Sequence, residues 1–180
     1  MAEVRNDATL LPMRRRTLIQ VGLAGGVLLA LAGTGLALVQ PARREGRFTE
    51  TGRTLFAALA PAVLGGLLPV EAVARRQAVE AFIPRVEDAI NGMPPAMQAE
   101  VDELLTIAGS SVGRMALVGL TTPWAKATAE QIQSALRGMR DSSLAPRQQA
   151  YHALRDLTSG GYFADESTWA VMDYAGQRPV

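Results

Sequence analysis

Along most of this chain the apolar residues return every third or fourth position, the spacing that gathers them on one face of an α-helix. In "RTLFAALAPAVLGG" the residues Leu55, Phe56, Leu59, Val63 and Leu64 share such a face. Thr49 or Thr51 stands where an N-cap belongs, and Gly65-Gly66 closes the run. Pro61 inside it predicts a kink or a shortened helix. "VEAVARRQAVEAFIPRVEDAIN" repeats the pattern, with Val73, Val79, Phe82, Val86 and Ile90 as its buried stripe and Pro84 as a second interruption. After "GMPP", the stretch "AMQAEVDELLTIAGSSVGRMALVGL" puts Met97, Val101, Leu104, Leu105, Ala108 and Val112 on a third helix. "TTPW" breaks the pattern, and Thr128 is placed to cap "AEQIQSALRGMRDS". Pro146 opens "PRQQAYHALRDLTS", which is expected to stop at Gly160-Gly161. A short last helix runs through "DESTWAVMDYAG", with Asp165 or Ser167 as its cap. No alternating strand run of useful length and no internal repeat is present. The expectation is an all-α fold, a compact domain of five or six helices joined by short turns.

Ahead of that domain the pattern changes. Arg14, Arg15 and Arg16 precede 22 residues without a charge, Leu18 to Val39, among them five glycines. Arg15-Arg16-Thr17-Leu18-Ile19 resembles the twin-arginine signal by which bacteria export proteins already folded. In that resemblance Arg15, Arg16, Leu18 and Ile19 carry the address, and Leu18 and Gln20 stand where phenylalanine and lysine are usual. The glycines make the run milder than a dedicated membrane span. A plain N-terminal anchor is the alternative, since about 20 apolar residues suffice to cross a bilayer, with the arginines then on the cytoplasmic side. Ala30-Leu31-Ala32 and Gly35-Leu36-Ala37 both satisfy a small-x-small cleavage rule. The chain thus divides into a signal or anchor helix, residues 1–40, and a helical domain, residues 41–180, joined through "QPARREGRF", which reads by composition as an exposed linker.

Composition narrows the chemistry. There is no cysteine and one histidine among 180 residues, so disulfides and thiolate metal sites are excluded. From Pro41 onward 14 basic residues face 15 acidic ones, and that balance argues against nucleic acid as a partner. His152, with Asp156 four residues on, is the one general-base candidate by type, but no elbow-type serine accompanies it, and a helix-surface histidine is the plainer reading. Glu100, Asp102 and Glu103 form an acidic cluster that reads as a solvated helix face rather than a cation site. No catalytic, cofactor-binding or metal-binding residue is therefore assigned. Tyr162, Phe163, Trp169 and Tyr174 place four of the nine aromatic residues in one short tail. Such a tail either closes the helical core or forms a docking surface, because aromatic anchors dominate interface energetics; its glycines and short helix favour docking.

The stretch from Leu136 to the end, "LRGMRDSSLAPRQQAYHALRDLTSGGYFADESTWAVMDYAGQRPV", resembles the C-terminal half of the small subunit of gluconate 2-dehydrogenase and related membrane-associated sugar and alcohol dehydrogenases. In that family a twin-arginine leader precedes a helical domain, and a late helix leads into an aromatic segment with a tryptophan and a closing "G-Y-x-G" turn. Tyr162, Phe163, Trp169 and "DYAG" occupy those places, with Asp173 where the family has glycine. The leader and "LFAALAPAVLGGLLP" share in the likeness, while the middle of the chain is generic. The resemblance implies a non-catalytic accessory subunit that binds, stabilises and helps export a large FAD-containing partner of the glucose-methanol-choline type. FAD would sit on that partner, electrons would leave through a cytochrome c chain or another acceptor, and the twin-arginine machinery would deliver both chains to the periplasm. If the leader stays uncut, the protein is tethered to the inner membrane. A free-standing periplasmic helical binding protein or folding factor is the rival expectation. The leader makes most sense on the first reading, because a chain this bare of ligands has little need of its own to be exported folded, whereas a flavoprotein must bind its cofactor first.

Overall fold

Glu45 and Gly46 both take positive φ, 51° and 78°, the combination that a two-residue hairpin turn of the right twist demands. They join β1, Arg43–Arg44, to β2, Arg47–Phe48, as an antiparallel pair with Arg43 opposite Phe48 and Arg44 opposite Arg47. The structure, a computed structural model, describes residues 40–172, with side chains through Trp169. Arg15, Arg16, Leu18 and Ile19 of the expected export signal, and Tyr174 of the expected interface, lie outside the described residues. The hairpin corrects the reading of "QPARREGRF" as an exposed linker: Ala42, Arg43 and Phe48 are buried. Composition misled because two of the charges that make the segment look solvated, Arg43 and Arg47, have partners far along the chain, Asp102 and Glu87.

α1 spans Glu50–Leu64, with Leu55, Phe56, Leu59 and Leu64 buried as their spacing requires. Thr49 occupies the N-cap position, but its hydroxyl donates to the carbonyls of Pro41 (2.8 Å) and Ala42 (3.2 Å) and thereby holds the hairpin to the helix. Pro61 is accommodated within α1, and Gly65 ends the helix at φ 52°, a value costly for any residue with a Cβ. α2, Ala72–Asn91, is one helix through Pro84, and its first turn is capped by the Glu71 carboxylate, which accepts from the N–H groups of Val73 and Ala74. Phe82, Val86 and Ile90 are buried as expected, but Val73 is half exposed.

α3, Pro95–Gly109, stops short of the expected third helix. Ser110 interrupts it by accepting from the Gly113 N–H, which starts a new short turn, α4 (Ser111–Gly113), that widens into a π turn, Arg114–Val118. Met97, in the first turn of α3, and Val112, beyond the break, are exposed, while Leu105 and Ala108 face inward. A 3₁₀ turn at Trp124–Lys126 follows, and the Trp124 indole donates to the Ala108 carbonyl at 2.9 Å inside the core. α5, Ala129–Arg140, opens with the expected Thr128 cap, completed by Gln131 as a capping box. α6, Ala145–Phe163, runs through Gly160-Gly161 instead of stopping there. Gly161 lies so close to α2 that a Cβ would come within 2.3 Å of the Val86 side chain; the glycine allows two helices to approach rather than ending one. The chain then turns at Asp165 into a 3₁₀ helix, Glu166–Met172.

Among the described residues the fold is all-α apart from the small hairpin. α1 is central and packs against α2, α3, α5 and α6, while α2 and α6 form the most extensive pair. A line of rings, Phe48, Phe56 and Phe82, passes from hairpin to α1 to α2 with centroids 4.9 and 6.5 Å apart, the first pair tilted by 35° and the second edge-on, within the centroid range that aromatic pairs favour. No single helix among the described residues is long and apolar enough to cross a membrane.

Candidate functional site

A cleft of about 600 Å³ lies where the α1–α2 connector, α2 and the turn after α6 converge. The sequence builds it in three steps. Gly65 turns the chain out of α1 into a 3₁₀ turn, Gly65–Leu67, from which Leu68 to Val70 run on as an irregular part of a strap before α2 begins. Arg75 secures the strap from α2, its guanidinium donating to the carbonyls of Pro69 (2.9 Å) and Val70 (3.0 Å). Tyr162 secures it from α6, its hydroxyl donating to the Leu67 carbonyl at 2.9 Å. With the carbonyls of Leu67, Pro69 and Val70 engaged, Leu68 and Pro69 contribute apolar wall, and Val70 stands at the rim, 90% exposed.

Ala78 and Ala81 of α2 form the opposite wall, and their small side chains keep the cleft open. Its polar feature is an ion pair between Arg85 and Asp165, both about 30% exposed. Asp165 also accepts from the Ser167 N–H (3.0 Å) and hydroxyl (2.7 Å), so of the two caps expected it is Asp165 that starts the last turn. Those two hydrogen bonds, together with the Arg85 charge, hold its carboxyl below the usual aspartate value. Burial, aided by the Asp165 charge, pushes the Tyr162 phenol the other way, above its usual value.

The tail aromatics divide. Tyr162 is 4% exposed and belongs to the interior. Phe163 stands edge-on to it at 5.3 Å and is half-buried. Trp169 is also half-buried, and its indole donates to the Phe163 carbonyl at 2.8 Å, which folds the last turn back on the end of α6. Tyr162, Asp165, Ser167 and Thr168 of this tail line the cleft. A half-covered pair of aromatics therefore sits beside an apolar opening.

His152 is elsewhere. It is exposed on α6, its ring against Tyr151 at 5.1 Å, and Asp156 accepts from Arg155 at 2.9 Å. Of the acidic cluster, Asp102 is paired with the buried Arg43 of the hairpin while Glu100 and Glu103 stay exposed. Among the described residues no three His, Asp or Glu side chains are arranged to hold a metal ion. Within the cleft the Ser167 hydroxyl meets a carboxylate with no imidazole between them, so the lining offers apolar surface and a satisfied ion pair rather than a nucleophile and its base. Sequence reasoning did not reveal Arg85 as the partner of Asp165, 80 residues away. It also missed Glu87, a charged residue with no exposure in the middle of an expected apolar stripe. Comparison with protein-family models, with curated proteins and with solved structures finds no match to this chain.

Proposed function

We propose that this chain is the non-catalytic small subunit of an exported dehydrogenase complex. It binds and stabilises a large FAD-containing subunit of the glucose-methanol-choline type, which oxidises a sugar or alcohol, and its twin-arginine leader takes that partner to the periplasm. A cytochrome c subunit or another acceptor would receive the electrons. The observation that carries the reading is the half-buried pair Phe163 and Trp169 beside an apolar cleft whose rim residue, Val70, is 90% exposed. An exposed aliphatic side chain at the rim of an apolar cleft, with partly covered aromatics on the tail that lines it, is the kind of surface that a partner completes.

The test is to purify the tagged full chain from the cell envelope and ask what accompanies it. The expected companion is a yellow flavoprotein with dehydrogenase activity. Trp169→Ala should weaken that complex about 30-fold, the equivalent of about 2 kcal/mol for an interface anchor. An intact complex with a lowered melting temperature would make Trp169 purely structural, and a chain that emerges alone would refute the subunit reading.

One observation favours the rival reading of a free-standing periplasmic binding protein. The cleft's 600 Å³ lies within the range of small-molecule sites, and its walls are mainly apolar with a few polar groups, as such sites are. On that reading the isolated chain is a well-behaved monomer that takes up a small apolar ligand.

A further inference from the structure

The hairpin is held by residues from three different helices, all distant in sequence. The Ala42 N–H donates to the Thr106 hydroxyl on α3 at 3.1 Å, across 64 positions. Arg43, its side chain 2% exposed, pairs with Asp102 on α3 and donates to the Asn91 side chain on α2 at 2.6 Å. Asn91 in turn donates to the Gly46 carbonyl at 3.2 Å. Glu87 on α2 has no exposure, and both of its oxygens are engaged by the hairpin: one accepts from the Phe48 N–H at 2.7 Å, the other from Arg47 at 2.9 Å. On α1, a Cβ at Gly52 would lie 2.4 Å from the Ala42 carbonyl oxygen, so the hairpin rests directly on the helix backbone.

Two consequences follow from ordinary energetics. A two-stranded hairpin with strands this short has no stability of its own, so it closes only once α1, α2 and α3 present these groups together. Closure is also favoured, because it gives the Glu87 carboxylate both of its donors, the Phe48 N–H and the Arg47 guanidinium. Open or closed is therefore nearly a two-state property, and it reports on the packing of three helices. The segment that changes state, Pro41 to Phe48, is the one that directly follows the uncharged run ending at Val39. It holds three arginines, at 43, 44 and 47, whose peptide bonds lie in the hairpin when closed and in extended chain when open.

We propose that residues 41–48 are a latch that makes possession of the leader depend on a completed fold. Closed, the hairpin buries Arg43 and holds the exposed Arg44 and Arg47 in a paired turn, so that their bonds do not fit the extended substrate site of a peptidase, and the leader stays attached to a folded domain. Open, those bonds are the most accessible basic sites next to the leader, and cleavage there separates the address from a chain that has not folded. The proposal rests on the export reading and adds a fold-sensing step to it.

The experiment uses the full chain and two variants aimed at the latch from opposite sides. Gly46→Val strains a turn position that needs positive φ, and Glu87→Gln removes the charge that receives Arg47. Under native conditions, brief trypsin treatment with the cut sites mapped by mass should show all three hairpin bonds protected in the parent. Each variant should be cut there at least about tenfold faster, since cleavage tracks the open population, while the bonds after Arg137 and Arg155 in α5 and α6 keep the parent rate. Equal rates in parent and variants, or faster cutting at all sites together, overturns the latch. In cells, the open-latch variants should accumulate a cytoplasmic form that lacks the leader. Full export of a variant shown by trypsin to be open overturns the sensing role alone. Unimpaired export of an Arg15→Lys, Arg16→Lys chain brings down the export reading and the proposal with it.

Discussion

A methyl group means opposite things at Gly160 and Gly161, although the two are adjacent in one helix. Around Gly160 a Cβ would meet nothing within 4 Å, whereas at Gly161 it would run into Val86 of α2 at 2.3 Å and approach the Val86 backbone nitrogen at 3.3 Å. Gly160→Ala should stabilise the domain by up to about 1 kcal/mol, because alanine loses less backbone freedom in a helix. Gly161→Ala forces α2 and α6 apart and should cost about 1–3 kcal/mol, in the range of overpacked cores. Chemical denaturation of the two variants decides it, and a pair of equal sign would show that the helix contact is not as tight as described. Which glycine faced a neighbour could not be read from "TSGGYF", where the doublet reads as a stop. Periodicity says which residues face inward on a helix, and it succeeded for Phe82, Val86 and Ile90. It carries no information on how near the facing helix comes. It was equally silent on Glu87, because a buried charge is tolerated only where specific donors exist, and those donors lie 39 and 40 positions earlier in the hairpin.

Among the elements, those defined by local chemistry agreed best with the sequence. Thr128 and Gln131 form the N-terminal box of α5 because both partners sit within three residues of each other. The hairpin at Arg43–Phe48 was hidden because its stability is entirely long-range, and the third helix ended early because Ser110 offered its hydroxyl to the Gly113 N–H. The last turn, Glu166–Met172, is held to α6 by the Trp169 and Thr168 side chains, while Asp165 at its start pairs with Arg85 of α2 and the Tyr162 phenol of α6 holds the Leu67 carbonyl; Asp165 and Tyr162 both titrate. The Asp165 carboxyl is held below its ordinary value of 3.8, by Ser167 first and Arg85 last. As pH falls the unfolded or undocked chain takes up the proton first, so the contribution is intact above that ordinary value and is lost as pH drops through the lower folded one. The Tyr162 phenol is raised above 10.0 by burial. Its contribution is intact below pH 10 or so and is lost as pH climbs through the raised value. Tryptophan fluorescence followed from pH 7 downward should therefore show the Trp169 environment open only below about pH 4, and Asp165→Asn should remove that step. An acid transition unchanged in the variant would locate the titration elsewhere.

For the whole molecule, the question is where the folded unit begins. By contact, residues 39–180 form one unit, separate from residues 1–38, and the close placement of Ala42, Arg43 and Phe48 explains why the division falls so early. Removing residues 1–38 leaves in place the hairpin and every contact described above. Removing residues 1–48 takes away the Phe48 ring that packs on Phe56 and the Ala42 backbone that lies on Gly52. It also takes away every donor to Glu87, whose side chain has no exposure. An uncompensated buried charge alone costs about 3–5 kcal/mol, a large part of the 5–15 kcal/mol, roughly, that holds a domain of this size together. Lost aromatic packing adds to it. The shorter truncation should unfold with the same midpoint and slope in denaturant as the full chain. The longer one should unfold at far lower denaturant or fail to fold, and Glu87→Leu in the longer truncation should recover part of the loss by removing the stranded charge. If both truncations unfold alike, the hairpin is ornament to a self-sufficient helical domain and Glu87 finds water once it is gone.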